Sequence, residues 1–225
     1  MSIYVIFGLV ALASYLVQQN LNSKFQRYSK LPLPWGMTGM EVARKMLDEH
    51  GLQHVQITQI NGKLTDHYNP ADNTVNLSRD IYYGHDVAAA AVAAHECGHA
   101  VQHARAYAPL RMRSALVPPV NFASKVMPWL LLIGIITIET MPVLMFAGII
   151  LFAITTLFSF VTLPVEIDAS RRALAWLEGA HVTTPDTHDK AKDALRSAAY
   201  TYVVAALSSL ATLVYYIFIF TSRRN

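Results

Sequence analysis

One cysteine, Cys97, stands in 225 residues. No intramolecular disulfide framework is therefore possible, and the redox compartment stays open. Charge is scarce as well: 15% of the residues are charged, 53% are hydrophobic, and the net charge is only +3. The lysines and arginines gather beside apolar segments instead of forming a long basic face, which leaves nucleic-acid binding without support. There is no internal repeat and no low-complexity tract. With so few charges and a positive mean hydropathy, the composition is that of a membrane protein.

What is present is a set of long apolar runs. A hydrocarbon core about 30 Å thick needs roughly 20 apolar helical residues. Met141 to Val165 and Ala198 to Phe220 meet that length. Val126 to Ile138 is shorter and spans only if its helix begins near Phe122 or the bilayer is locally thinned. The run from Ile3 to Val17 has a small-residue Ala11-Leu12-Ala13 segment like a signal-peptide cleavage site, but no Lys or Arg precedes it, and an uncleaved anchor is the expectation. The fold expected is a mainly α membrane protein of about four transmembrane helices, with a small α+β domain between the first and second spans. Its segments are an anchor at 1–19, a polar domain at 20–121, a transmembrane hairpin at 122–165, a helical segment at 166–197, and a last span at 198–225.

Within the polar region, Leu31-Pro32-Leu33-Pro34-Trp35-Gly36 cannot continue a helix and reads as a linker. Thr38 and Glu41 form a capping-box pattern for a helix through His50 that Gly51 stops. Val55-Gln56-Ile57 and Thr74-Val75-Asn76-Leu77 alternate as half-buried strands do, with turn residues at Asn61-Gly62 and Asn69 to Asn73 between them. Asp86 is a plausible N-cap for an alanine-rich helix running on through Gln102.

That helix carries His95-Glu96-Cys97-Gly98-His99. Histidines four apart share a helix face, so both imidazoles can bind one zinc ion at about 2.0–2.1 Å. Glu96, beside the first ligand, can reach a zinc-activated water as general base without ligating the metal. Two histidines can fall four apart by chance, but at the end of a small-residue helix that packs deep in a fold, unpaired polar groups would be costly. Cys97 projects away from this face and reads as a core residue; Trp129 and the tyrosines near span ends read as interfacial anchors.

A catalytic zinc takes three protein ligands. The metzincin position six residues after His99 is Arg105, which excludes that class, and His103 lies two turns beyond His95, roughly 12 Å along the axis. Glu166 is the better candidate: two spans separate it from His99, and an even number of crossings returns the chain to the same side. Asp168 is the alternative ligand, or an acceptor orienting a zinc-bound histidine. Both acids would also suit the start of a helix after Pro164, where the dipole favours them.

These pieces carry a resemblance. Asp66-His67-Tyr68-Asn69-Pro70, Asn76-Leu77-Ser78, His95-Glu96-Cys97-Gly98-His99-Ala100-Val101-Gln102 and Leu163-Pro164-Val165-Glu166-Ile167-Asp168-Ala169-Ser170 resemble the YugP-type family of neutral zinc metallopeptidases, and more distantly the HtpX type of membrane gluzincin. The resemblance implies a bacterial cell-membrane peptidase with one catalytic Zn2+ on two histidines and a downstream glutamate, in which residues 20–121 form a zincin-like catalytic domain and the helical segment at 166–197 completes the zinc site. The Glu-Ile-Asp-Ala spacing departs from the Glu-x-x-Ala-Asp pattern of the HtpX type and leaves the roles of Glu166 and Asp168 open.

The function expected is hydrolysis of peptide bonds in membrane or membrane-proximal proteins. A non-catalytic zinc-binding scaffold or chaperone-like protein is the contrasting class; an intact Glu96 argues against it. A site-2 type intramembrane protease is disfavoured, since the histidine helix lacks a spanning segment. Lys24, Arg27, Lys30, Arg111, Arg113, Lys125, Arg171 and Arg172 outnumber Arg223 and Arg224, which points the site to the cytoplasm. Thr74, Val75, Asn76 and Leu77 read either as an edge strand that pairs with extended substrate or as an interior strand of a small sheet.

Overall fold

The computed structural model describes residues 3–222. The elements in order are α1 (Ile3–Tyr28), α2 (Gly39–Glu49), β1 (Gln56–Ile60), β2 (His67–Asn69), β3 (Thr74–Ser78), α3 (Arg79–Tyr82), α4 (Val87–Ala104), α5 (Ala108–Ile136), α6 (Pro142–Gly179) and α7 (Pro185–Ser222). The protein is mainly helical with one small sheet. Among the described residues three helices, α5, α6 and α7, are long and apolar enough to cross a membrane.

These helices exceed the expected spans. α5 begins at Ala108, well before Phe122, and runs through Pro118, Pro119 and Pro128. α6 does not end near Val165 but passes through Pro164 to Gly179, 38 residues in all. An interior proline removes one amide donor from a helix, and here the rest of the hydrogen-bond ladder carries it across. Pro142 and Pro185 open α6 and α7, where the missing amide has no helical partner to lose.

The chain divides into two compact units. One comprises Arg111–Pro164 with the chain's two end segments, Met1–Leu16 and Thr201–Asn225. Its core gathers Leu131, Ile138, Met145 and Ile149, with Leu213, Tyr216 and Phe220 packed against them. Gly134 admits α6 closely: a Cβ there would lie 2.6 Å from the backbone of Met145. Thr156 and Ser209 share a hydrogen bond of 2.7 Å between α6 and α7. Small residues and hydroxyl pairs of this kind let apolar helices associate where burial from water supplies no drive.

The other unit, Val17–Leu110 with Val165–Tyr200, holds the sheet and the histidine helix. α4 starts at Asp86, whose side chain caps Ala89 N at 2.9 Å. Val87 to Ala94 are buried without interruption, so this helix has no wet face over its first two turns. Val42, Ala43, Met46 and Leu47 of α2 join it in one core with Val75, Leu77, Ala173 and Leu177. α2 carries the expected capping box between Thr38 and Glu41, and Gly51 follows it at φ 74°. The Leu31–Gly36 stretch is no loose linker: Leu33 N bonds His85 O at 3.0 Å, Val87 N bonds Leu31 O at 2.9 Å, and Leu33 is buried.

The sheet order is β1-β3-β2, with β1 parallel and β2 antiparallel to β3. Thr74 to Leu77 therefore do not form an edge: β3 is the central strand, with neighbours on both sides. The edge reading failed because β2 was hidden. Its three residues, His67 to Asn69, are too few to show an alternating pattern, and Asn69-Pro70 reads as a turn.

Candidate metal centre

Two turns of α4 and one turn of α6 build the site. His95 and His99, one turn apart on α4, meet edge to face with ring centroids 4.8 Å apart. Glu166 of α6 comes against both: its Oε2 lies 3.3 Å from His95 Nε2 and 3.6 Å from His99 Nε2. One donor atom from each residue falls within 4.8 Å of the others. Ligand atoms at about 2.0–2.1 Å from a tetrahedral zinc are separated by roughly 3.3 Å, so the histidine–carboxylate spacings suit such an ion. Two neutral imidazoles and one carboxylate are also the donor set of a catalytic zinc with one open position.

Close packing of the two helices makes this possible. Gly98, between the histidines, faces the backbone of Ala169, and a Cβ at Gly98 would lie 2.7 Å from the Ala169 carbonyl oxygen. With no side chain at 98, α6 approaches far enough for a glutamate three residues before Ala169 to reach both imidazoles.

Both Nδ1 atoms are engaged as well. His95 Nδ1 is 3.1 Å from Ser170 Oγ, and His99 Nδ1 is 3.0 Å from Gln102 Oε1. Their Nε2 atoms are thereby left for Glu166 and a metal, the arrangement in which outer groups orient metal-binding histidines. Burial pulls the His99 imidazole pKa down, but the hydrogen bond and charge of Glu166 outweigh it and leave it raised. Burial likewise pushes Glu166 up, yet hydrogen bonds from His95 and His99 hold it well below the usual carboxylate range, so the site keeps an anionic donor.

Asp168 is buried near Glu166 but turned elsewhere. It accepts from Gln102, Arg171 and Arg172. Burial raises its pKa and these bonds, Gln102 first, more than reverse the effect. The structure thus brings Glu166, and not Asp168, against the imidazoles.

Glu96, 8% exposed, accepts from the backbone N–H of Tyr68 at 3.1 Å. That N–H points away from β3, so His67 and Asn69 are the residues of β2 whose amides face the ladder. The Tyr68 hydroxyl bonds His103 Nδ1 at 2.8 Å, which ties β2 to α4 at a second point and gives His103 a partner away from the metal ligands. Cys97 is fully buried, with its thiol pKa pushed up by desolvation. Sequence reading assigned no role to Gln102, Ser170 or Tyr68. A polar Gln102 three residues past His99, on a helix whose residues apart from His95, Glu96, His99 and His103 are small and apolar, was the available signal.

A family model described as "Putative neutral zinc metallopeptidase" matches residues 3–221. A protein of Bacillus subtilis (strain 168) named "Putative membrane protease YugP" is 41% identical over 212 residues, covering 94% of this chain and 93% of that protein. No solved structure gives a significant match.

Proposed function

The chain belongs to the neutral zinc metallopeptidase family whose model it matches, and on that premise we propose that it is a membrane-bound zinc metalloendopeptidase acting on membrane or membrane-proximal proteins. The observation that carries the reading is the convergence of His95, His99 and Glu166 beside a buried Glu96. In this reading the three converging residues hold one Zn2+. When bound, the ion supplies Lewis acidity that activates water and polarises a peptide carbonyl. Glu96 takes the proton of the attacking water and returns it to the departing amine nitrogen. Its carboxylate is aimed by the Tyr68 amide, which leaves the other carboxylate oxygen for the proton transfer.

The unit of Val17–Leu110 and Val165–Tyr200 is the catalytic domain in this reading, and Asp168 supports the site from outside the metal sphere. α1 serves as a fourth span beside α5, α6 and α7. The excess of Lys and Arg beside the catalytic segments supports a site on the cytoplasmic face of the cell membrane. Substrate is a membrane-associated polypeptide, because residue 166 follows directly on the apolar run that ends at Val165.

Zinc content and hydrolysis of casein, or self-cleavage, measured in detergent test the reading. Wild type should bind one zinc and cleave. His95→Ala and His99→Ala should lose the metal, and Glu96→Gln should keep zinc and lose hydrolysis, because that change removes the base and spares the ligands. Undiminished cleavage by Glu96→Gln would falsify the mechanism. Stoichiometric zinc without cleavage in the wild type would favour a non-catalytic scaffold.

A further inference from the structure

We propose that Gln102 is a positioning residue that fixes the proton of His99 on Nδ1 and so reserves Nε2 for the metal, an inference that rests on reading His95, His99 and Glu166 as the zinc site. An amide has two orientations that differ only in whether its oxygen or its nitrogen faces a given neighbour. Here the neighbours decide. Gln102 Nε2 lies 2.8 Å from the Val165 carbonyl oxygen and 3.0 Å from Asp168 Oδ2. A carbonyl and a carboxylate are both acceptors, and Asp168 is kept in that role by Arg171 and Arg172.

Turning the amide over would set its oxygen against two oxygens at a position that is 0% exposed, where water cannot repair the loss. The NH2 group therefore faces α6 and the amide oxygen faces His99. That oxygen only accepts, so His99 Nδ1, 3.0 Å away, carries the proton. With the proton kept on Nδ1, Nε2 is the nitrogen whose lone pair a metal can take, and it is the one directed at Glu166. The relay from Arg171 and Arg172 through Asp168 and Gln102 to His99 also accounts for a buried carboxylate that stands beside the site without entering it.

His95 has no such lock. Its Nδ1 meets Ser170 Oγ, a hydroxyl that can donate or accept and so leaves either tautomer satisfied. Ser170→Ala should accordingly cost less zinc affinity than loss of the Gln102 amide.

Zinc affinity of the full chain in detergent, measured by competition with a chelator, tests the proposal, with circular dichroism as the fold control. Gln102→Leu keeps the volume and removes every polar contact, and its zinc Kd should weaken by about 10- to 100-fold. Gln102→Glu alone sets two carboxylates together and should weaken binding comparably. The double variant Gln102→Glu/Asp168→Asn restores an acceptor for His99 and gives the carboxylate a donor from residue 168, leaving the Val165 carbonyl as the one contact not repaired. Its zinc Kd should therefore be clearly tighter than that of Gln102→Glu, though weaker than wild type.

Wild-type affinity in a folded Gln102→Leu, or a double variant as weak as Gln102→Glu, overturns the proposal. Where Gln102→Leu does not fold, the comparison of the double variant with Gln102→Glu decides. Wild type without zinc, or His99→Ala that retains it, overturns the zinc-site reading itself. Zinc that is lost in His99→Ala but indifferent to both Gln102 changes removes only the lock.

Discussion

Gly98 of α4 lies so close to Ala169 of α6 that a methyl group on it would sit 2.7 Å from the Ala169 carbonyl oxygen. The partner atom is backbone and cannot rotate away, so Gly98→Ala must push the helices apart. Overpacking of this kind costs about 1–3 kcal/mol. Lower thermal stability together with weaker zinc binding is expected, because Glu166 moves with α6. Unchanged melting and zinc affinity would show that the contact is not close in the working protein.

Glu166 and Asp168 should separate by metal affinity. Glu166→Ala removes the one carboxylate that meets both imidazoles and should abolish stoichiometric zinc. Asp168→Ala loses a partner of Gln102 and should weaken binding by about tenfold, as loss of an outer contact does. Equilibrium dialysis of the two variants checks the order; the reverse order would give the ligand role to Asp168.

Proline in β3 should unfold the catalytic unit rather than block substrate. β3 pairs on both sides, and its Val75 and Asn76 amides face β1 and β2 respectively, given that the Tyr68 N–H points away from it. Val75→Pro and Asn76→Pro each remove a ladder bond inside the sheet. Circular dichroism and zinc content should fall together. A folded, zinc-loaded variant with lowered cleavage would return β3 to the substrate site.

Four spans with a cytoplasmic site require the chain after Lys30 and the chain after Asn225 to lie on opposite sides of the membrane. Alkaline phosphatase and fluorescent-protein fusions at these two points should report different compartments. Agreement between them would leave an even number of crossings after Lys30 and refute the four-span topology.

Lys24 Nζ and Tyr28 Oη of α1 both bond the Asp193 carboxylate of α7, at 2.7 and 2.5 Å. Burial raises the Asp193 pKa, but these bonds outweigh it and hold it below the ordinary range. A carboxyl depressed in the native state adds stability in full above its unfolded pKa of about 3.9, and that stability disappears as pH falls through the native value. Wild type should melt above Asp193→Asn at neutral pH, and the gap should close as pH drops below about 4. The effect is small because the pair is partly exposed. A gap that is constant with pH would exclude the ion pair as its source.

Local chemistry was legible without coordinates. The Thr38–Glu41 capping box, the Asp86 cap and the His95–Glu96–His99 face depend on residues within one or two turns, whose geometry the helix itself fixes. The apolar runs were legible as candidate spans for the same reason, since length and hydropathy are properties of a single segment. Helix ends were less legible. Pro164 reads as a stop, yet α6 passes through it, because one lost hydrogen bond is small beside those that remain.

Contacts between distant segments were decided by packing alone. Nothing in the spacing of Glu166 and Asp168 says which one turns toward the histidines. The close approach of α4 and α6 at Gly98 decides it by putting Glu166 against both rings and Asp168 against Gln102 and two arginines. Strand order escaped the sequence too: β2 is too short to announce itself, and only its pairing with β3 makes β3 an interior strand. Sequence determined which groups this protein has for its chemistry, because side-chain identity and helical period are local. Tertiary structure decided which of them meet, because a contact between residues 71 positions apart, as His95 and Glu166 are, depends on how closely two helices can pack.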